Sequence, residues 1–243
     1  MTTKEKVLVV IPARAGSKRI PNKNIRKFLG RPLIVHTIKQ ALSLDFVDRV
    51  VVDTDFPKIA KIAKKYGAEV PFLRPARLAK DNSLMADSIF YLLKRLRREE
   101  NYVPDYVMLL QITSPLREKK DIIKCWKMIH ETDATTVLTV CPTHPRLYHL
   151  NKNNNIILAN KEKTKSTNTQ DWPQGYILNG CFVYLMKIIP FLKEGTFITK
   201  NTKAVVCPKW RSIDLDVPED WVLAETIYRD REAIKRRIKQ IRS

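Results

Sequence analysis

Apolar residues in this chain alternate between short unbroken runs and stripes of helical period. Residues 7–11 and 106–110 are each five consecutive apolar positions, and 47–55 centres on Val50, Val51 and Val52 before ending in Asp53-Thr54-Asp55. Runs without polar alternation suit strands covered on both faces, as in a parallel sheet. Between them, 32–42, 58–66 and 86–98 place apolar residues at helical intervals; Pro32 opens the first and Gly67 stops the second. The same reading predicts a short strand over 68–72, a helix over 121–131, and strands over 134–140, 176–186 and 204–207. A last helix opens at Pro218-Glu219 and runs from 221 to a basic end near Arg242.

Strand-loop-helix alternation predicts an α/β fold: three layers, a mostly parallel sheet, right-handed crossovers and helices on both faces. Ligands of such sheets sit at the carboxyl ends of the strands. Those ends here carry loop 12–24, Asp53-Thr54-Asp55 and Gln111-x-Thr113-Ser114, so three segments converge on one cleft. Residues 142–174 break the pattern. They are rich in Asn, Lys and Thr, include Asn153-Asn154-Asn155, and read as an excursion from the sheet that carries dimer contacts or part of a lid. A length of 243 residues fits one domain, 1–243, with this small inserted arm.

The loop after the first strand holds the strongest chemistry. Gly16 permits close backbone approach, Pro12 and Pro21 restrict the chain, and Arg14, Lys18, Arg19 and Lys23 place positive charge where anionic oxygens would lie. Backbone N–H groups of such a loop can form a phosphate nest. The six glycines, at 16, 30, 67, 175, 180 and 195, give neither the P-loop nor the dinucleotide spacing. A solvated basic loop is the plainer alternative. Far along the chain, Asp214 and Asp216 stand two residues apart; on a strand that period puts both on one face, with Ile213 and Leu215 on the other. A structural salt bridge to Arg211 is the competing explanation for them. Asp53 and Asp55 suit either a cleft role or turn capping.

Charge and composition narrow the classes. The 45 Lys and Arg against 25 Asp and Glu leave +20, which first suggests nucleic acid. The cations, however, are spread over 58–65, 94–98, 119–127 and 229–242 at exposed-helix spacing, without a nucleic-acid module, so no stable nucleic-acid partner is expected. No apolar run approaches the ~18 residues of a membrane span, and Arg14 interrupts the N-terminal run, so no membrane association and a cytoplasmic location are expected. Cys125, Cys141, Cys181 and Cys207 form no C-x-x-C, and His144 and His149 lack a zinc-site spacing.

Six blocks in order carry a resemblance. They are Arg14-x-Gly16-Ser17-Lys18-Arg19-x-Pro21-x-Lys23-Asn24, Val52-Asp53-Thr54-Asp55, the segment from Gly67 to Pro75, the segment from Leu109 to Arg117, Leu178-Asn179-Gly180, and the segment from Ser212 to Asp220. Together they resemble the acylneuraminate cytidylyltransferases, or CMP-sialic acid synthetases. The resemblance implies a Rossmann-like nucleotide-diphospho-sugar transferase fold and a reaction in which CTP and a nonulosonic acid give a CMP-sugar and pyrophosphate with Mg²⁺, in a homodimer. It further implies that Ala13, Arg14, Gly16, Ser17, Lys18, Lys23, Asn24, Arg74 and Ser83 bind the nucleotide. Gln111, Arg146 and Asn179 would face the sugar, Asp214 and Asp216 would hold the metal, and Arg14, Lys23, Asp214 and Asp216 would be catalytic. Three departures stand out: Asp53-Thr54-Asp55-Phe56 replaces Ser-Thr-Asp-Asp, Asn82-Ser83-Leu84-Met85 replaces Thr-Ala-Ser-Ser, and Thr169 falls where the family has a sugar-holding arginine. With the last, a carboxylate clamp at that place is either missing or replaced by Arg146, which turns the expectation from N-acetylneuraminate toward legionaminic or pseudaminic acid. A synthetase for Kdo or one using another base, a catalytically silent relative, and a basic nucleic-acid-binding protein are the other readings.

Overall fold

Why the first strand is central is plain from its side chains: Val7, Leu8, Val9, Val10 and Ile11 are all fully buried, so both faces are covered. Successive side chains of a strand point to opposite faces. Val7, Val9 and Ile11 accordingly join one apolar cluster, and Leu8 and Val10 join another. The computed structural model describes residues 4–159, 168–178, 180 and 182–243.

In chain order the elements are β1 (Val7–Pro12), β2 (Lys27–Phe28), β3 (Arg31–Pro32), α1 (Leu33–Leu42), β4 (Arg49–Asp53), α2 (Pro57–Lys65), α3 (Met85–Glu100), β5 (Tyr106–Leu110), α4 (Lys119–Glu131) and β6 (Thr136–Thr143). They continue with β7 (Tyr148–Leu150), β8 (Ile156–Leu158), β9 (Gly175–Ile177), β10 (Val183–Lys187), α5 (Ile188–Glu194), β11 (Thr202–Val206) and α6 (Pro218–Arg242). The main sheet runs β11-β6-β10-β5-β1-β4, with β9 extending it along β6. Pairs β1–β4, β1–β5 and β11–β6 are parallel, while β10 lies antiparallel between β5 and β6. This is the mostly parallel three-layer α/β fold that the alternation predicts. Helices α1, α2, α4 and α6 supply Ile38, Ile59, Ile122 and Trp221 to one cluster; α3 and α5 supply Ile89 and Phe191 to the other.

Four expectations need correction. Residues 68–72 form no strand, only a single parallel bridge from Glu69 to Val51. The segment 176–186 is two strands, because Gly180 takes φ +55 and turns the chain between β9 and β10. Helix α5 was not foreseen; its seven residues, with Pro190 inside, are too short for a clear helical stripe. The segment bearing Asp214 and Asp216 is irregular, as described below. The arm of 142–174 contains the β7–β8 hairpin, and the chain rejoins the sheet just after it as β9 against β6. Among the described residues no helix is long and apolar enough to cross a membrane.

Candidate active site

Loop 12–24 is fastened before it reaches the cleft. Ala13 N–H donates to the Asp53 carbonyl at 2.9 Å, Ala15 N–H to Asp55 Oδ1 at 2.9 Å, and the Asn24 amide to the Arg14 carbonyl at 2.9 Å. The first two bonds tie the loop to the end of the neighbouring strand β4, the third braces it internally, and Arg14, Lys18 and Arg19 are left exposed. Ala13 is fully buried with its N–H committed to β4, so it anchors the loop rather than offering a donor to a ligand. Asp55 likewise acts as a loop brace. Gly16 meets nothing within 4 Å of where a Cβ would stand, so nothing inside the protein demands glycine there.

A cavity of ≈ 310 Å³ opens beside this loop. Arg14, Gly16, Ser17, Lys18, Lys23 and Asn24 line one part of it, and Arg74, Gln111 and Asp216 also reach its wall. Arg74 is buried and held by Asp53: its Nη2 lies 2.9 Å from the Asp53 carbonyl and 2.7 Å from Oδ2, and the Ser88 hydroxyl bonds the same carboxylate. Asp53 is therefore the residue that positions Arg74. Ser83 does not reach the cavity wall, because its hydroxyl donates to the Arg77 carbonyl at 3.0 Å; Met85 takes a place on the wall instead.

The acidic end meets the basic loop in the same cavity. Lys23 Nζ donates to the Leu215 carbonyl at 2.5 Å and lies 3.7 Å from Asp216 Oδ1, while Arg19 Nη1 lies 3.0 Å from Asp216 Oδ2. Residues 213–216 are irregular backbone rather than the strand that the spacing suggests. Leu215 N–H donates to the Thr113 carbonyl at 2.9 Å and Asp216 N–H to the Asp214 carbonyl at 2.9 Å, so local bonds replace a ladder. The two carboxylates differ: Asp216 is exposed on the cavity, and Asp214 sits behind it with Oδ1 buried and without a hydrogen-bond partner among the described residues. Burial pushes the Asp214 carboxyl above its ordinary range; a hydrogen bond with the Thr113 side chain opposes this, and the Asp216 charge adds to it. Gly180 is what lets this segment pack so closely, since a Cβ there would stand 2.3 Å from the Ser212 carbonyl carbon.

The sugar-side expectations fare unevenly. Gln111 lines the cavity. Arg146 does not; its guanidinium stacks 4.5 Å over the Trp172 ring on the arm. Asn179 lies outside the described residues, as does the Thr169 side chain. The expected site set left out Arg19, Thr113 and Asp81. Arg19 stood in the basic motif, whereas the parts of Thr113 and Asp81 depend on contacts distant in sequence. Arg211, the proposed salt-bridge partner of the twin aspartates, instead pairs with buried Asp121 on α4, at 2.5 and 2.6 Å.

Parallel strand ends, a cationic loop and the carboxylate of Asp216, with Asp214 behind it, meet at one cavity of an α/β protein. Residues 8–208 match the family model described as Cytidylyltransferase, and the chain belongs to that enzyme family. It is 35% identical over 226 residues to a CMP-N,N'-diacetyllegionaminic acid synthase of Legionella pneumophila, covering 91% of this chain and 96% of that protein. It is 31% identical over 227 residues to a pseudaminic acid cytidylyltransferase of Campylobacter jejuni, covering 92% and 97%. Among solved structures, a CMP:2-keto-3-deoxy-manno-octonic acid synthetase complexed with CTP superposes with a TM-score of 0.67 over 93% of this chain and 100% of that one. At 16% identity that likeness concerns the fold.

Proposed function

We propose that this cytidylyltransferase joins the CMP part of CTP to a nonulosonic acid of the legionaminic or pseudaminic type and releases pyrophosphate. The observation that supports the reading is the contact of Lys23 with the Leu215 carbonyl and with Asp216, Lys23 and Asp216 both lining the cavity. In the reaction the anomeric oxygen of the sugar forms a bond to the α-phosphorus, the bond from that phosphorus to the bridging oxygen breaks, and the hydroxyl proton is released. Arg14, Lys18 and Lys23 hold the phosphates, and Gly16 and Ser17 allow the chain to approach them closely. Held cations act on charge as it develops and need no reorganisation at that moment. Arg74, fixed by Asp53, reaches the nucleotide, and Gln111 faces the sugar.

Asp214 and Asp216 fit a divalent cation. Buried Asp214 Oδ1, without a hydrogen-bond partner among the described residues, is an oxygen that a hard cation would satisfy, and Mg²⁺ is usually held by one or two carboxylates plus substrate phosphates and water. Among the described residues there is no group of three or more His, Cys, Asp and Glu that could hold a metal by itself, in keeping with a site completed by the substrate. When bound, Mg²⁺ would neutralise phosphate charge and lower the pKa of the attacking hydroxyl. The arm exposes Leu150 and Ile156, which favour its use as a contact with a second copy of the chain.

Pyrophosphate release with CTP, Mg²⁺ and a panel of legionaminic, pseudaminic, N-acetylneuraminic and Kdo acids tests the reading. Release with the first two is expected, with ATP, GTP and UTP much poorer. No release with any nonulosonic acid would overturn it.

A further inference from the structure

Arg14 and Lys18, two of the cations that line the cavity, already hold an anion from the protein itself. Asp81 Oδ1 lies 3.0 Å from Arg14 Nη1, and Asp81 Oδ2 lies 2.5 Å from Lys18 Nζ. Each oxygen of one carboxylate thus takes one cation, the pairing that two phosphate oxygens would make. Asp81 stands in a turn between Arg74 and α3, closed by Ser83 N–H on the Lys80 carbonyl at 3.1 Å and the Ser83 hydroxyl on the Arg77 carbonyl. The Asp81 side chain is more than half exposed, and its ion pairs among the described residues are those with Arg14 and Lys18.

We infer that Asp81 competes within the molecule for the phosphate-binding cations, holding Arg14 and Lys18 in the free protein and giving way to a polyphosphate. The inference rests on the nucleotide reading of this cleft. Its consequence is a threshold that weakly charged ligands fail to cross. A singly or doubly charged ligand exchanges one carboxylate for a similar anion and gains little, whereas a triphosphate brings enough charge to displace Asp81. After transfer, return of Asp81 to the two cations assists departure of pyrophosphate. Its bond with Lys18, with the Arg14 charge beside it, holds the Asp81 carboxyl below the usual carboxylate range, so the competitor is ionised at neutral pH.

Titration calorimetry and stopped-flow release with tripolyphosphate and with inorganic phosphate test this on the whole chain, comparing wild type, Asp81→Asn, Asp81→Glu and Lys18→Ala. Asp81→Asn is expected to bind tripolyphosphate about fivefold more tightly and to release it more slowly, the scale set by two exposed ion pairs. Inorganic phosphate should gain by a similar factor, since both anions displace the same carboxylate, and Asp81→Glu should return both toward wild type. If Lys18→Ala weakens tripolyphosphate binding while Asp81→Asn leaves it unchanged or weaker, Asp81 orients the cations instead and the inference fails. If Lys18→Ala binds tripolyphosphate as wild type does, the phosphate reading of the cleft fails and takes the inference with it.

Discussion

Lys23 and Leu215, separated by 192 positions, are joined by a hydrogen bond of 2.5 Å from the ammonium to the main-chain carbonyl. The bond fixes where a cation of the first loop stands relative to the carboxylates of the last, and Asp216 Oδ1 at 3.7 Å completes the contact. A charged donor on a carbonyl contributes about 1.5–3 kcal/mol, so the lysine both binds and positions.

Lys23→Ala should therefore lose on two measurements at once. CTP binding is expected to weaken roughly 10–100-fold, from the same free-energy range. The melting temperature should fall by a few degrees, since about 2–4 °C accompanies each kcal/mol in a chain of this size. Calorimetric titration and a thermal melt check both; unchanged CTP affinity would remove Lys23 from the nucleotide site.

Two glycines of the site separate ligand space from folding space. Gly16 faces open space, so Gly16→Ala should melt as wild type does and yet bind CTP about tenfold or more weakly, its methyl standing where phosphate must approach. Gly180 has φ +55 and the Ser212 backbone at 2.3 Å from a would-be Cβ. Gly180→Ala should lower stability by several kcal/mol, mixing strain with displacement of the Asp214 segment. Circular-dichroism melts beside CTP titrations distinguish them. A Gly16→Ala variant that unfolds early would mean the loop needs that glycine for its own backbone.

The sheet and the basic loop were legible because local pattern determines both. Unbroken apolar runs specify β1 and β5, and cations clustered after a buried strand leave few structural uses. What was not legible depends on partners distant in sequence. Asp53 could be a cleft acid or a cap until Arg74 and Ser88 are seen on its carboxylate. The period-two spacing of Asp214 and Asp216 suggests a strand, but Leu215 bonds to Thr113 across a loop rather than in a ladder, and one carboxylate is half-buried with its Oδ1 shut off from solvent while the other is exposed. The lack of an arginine at 169 points to Arg146 as a sugar clamp, but its contact with Trp172 cannot be read from either residue.

Asp53 and Arg74 form a buried ion pair at 2.7 Å, with the side chains 4% and 7% exposed. Removing one partner leaves the other charge buried and uncompensated, which costs about 3–5 kcal/mol. Asp53→Ala should lower the unfolding free energy by that amount and, by releasing Arg74, raise the KM for CTP. Equilibrium urea unfolding of both chains decides it; a loss under about 1 kcal/mol, the scale of exposed pairs, would show that the pair is solvated.

Asp214 gives the clearest pH signature. Burial and the Asp216 charge raise its folded-state pKa above the ordinary 3.8, so between 3.8 and that higher value the folded chain binds more protons than the unfolded one. Stability contributed by this residue therefore falls as pH rises through the window and is fully restored below 3.8. Asp214→Asn, which cannot ionise, should melt above wild type at pH 7 without divalent ions, and the gap should close as pH drops toward 3.8. Turnover should nevertheless be lost in the variant. Millimolar Mg²⁺ should raise the wild-type melting temperature and leave that of Asp214→Asn unmoved, because the cation satisfies the carboxylate whose burial is otherwise unfavourable. An Asp214→Asn protein less stable than wild type at neutral pH without metal would show that the carboxylate is satisfied by the fold and has no need of a cation.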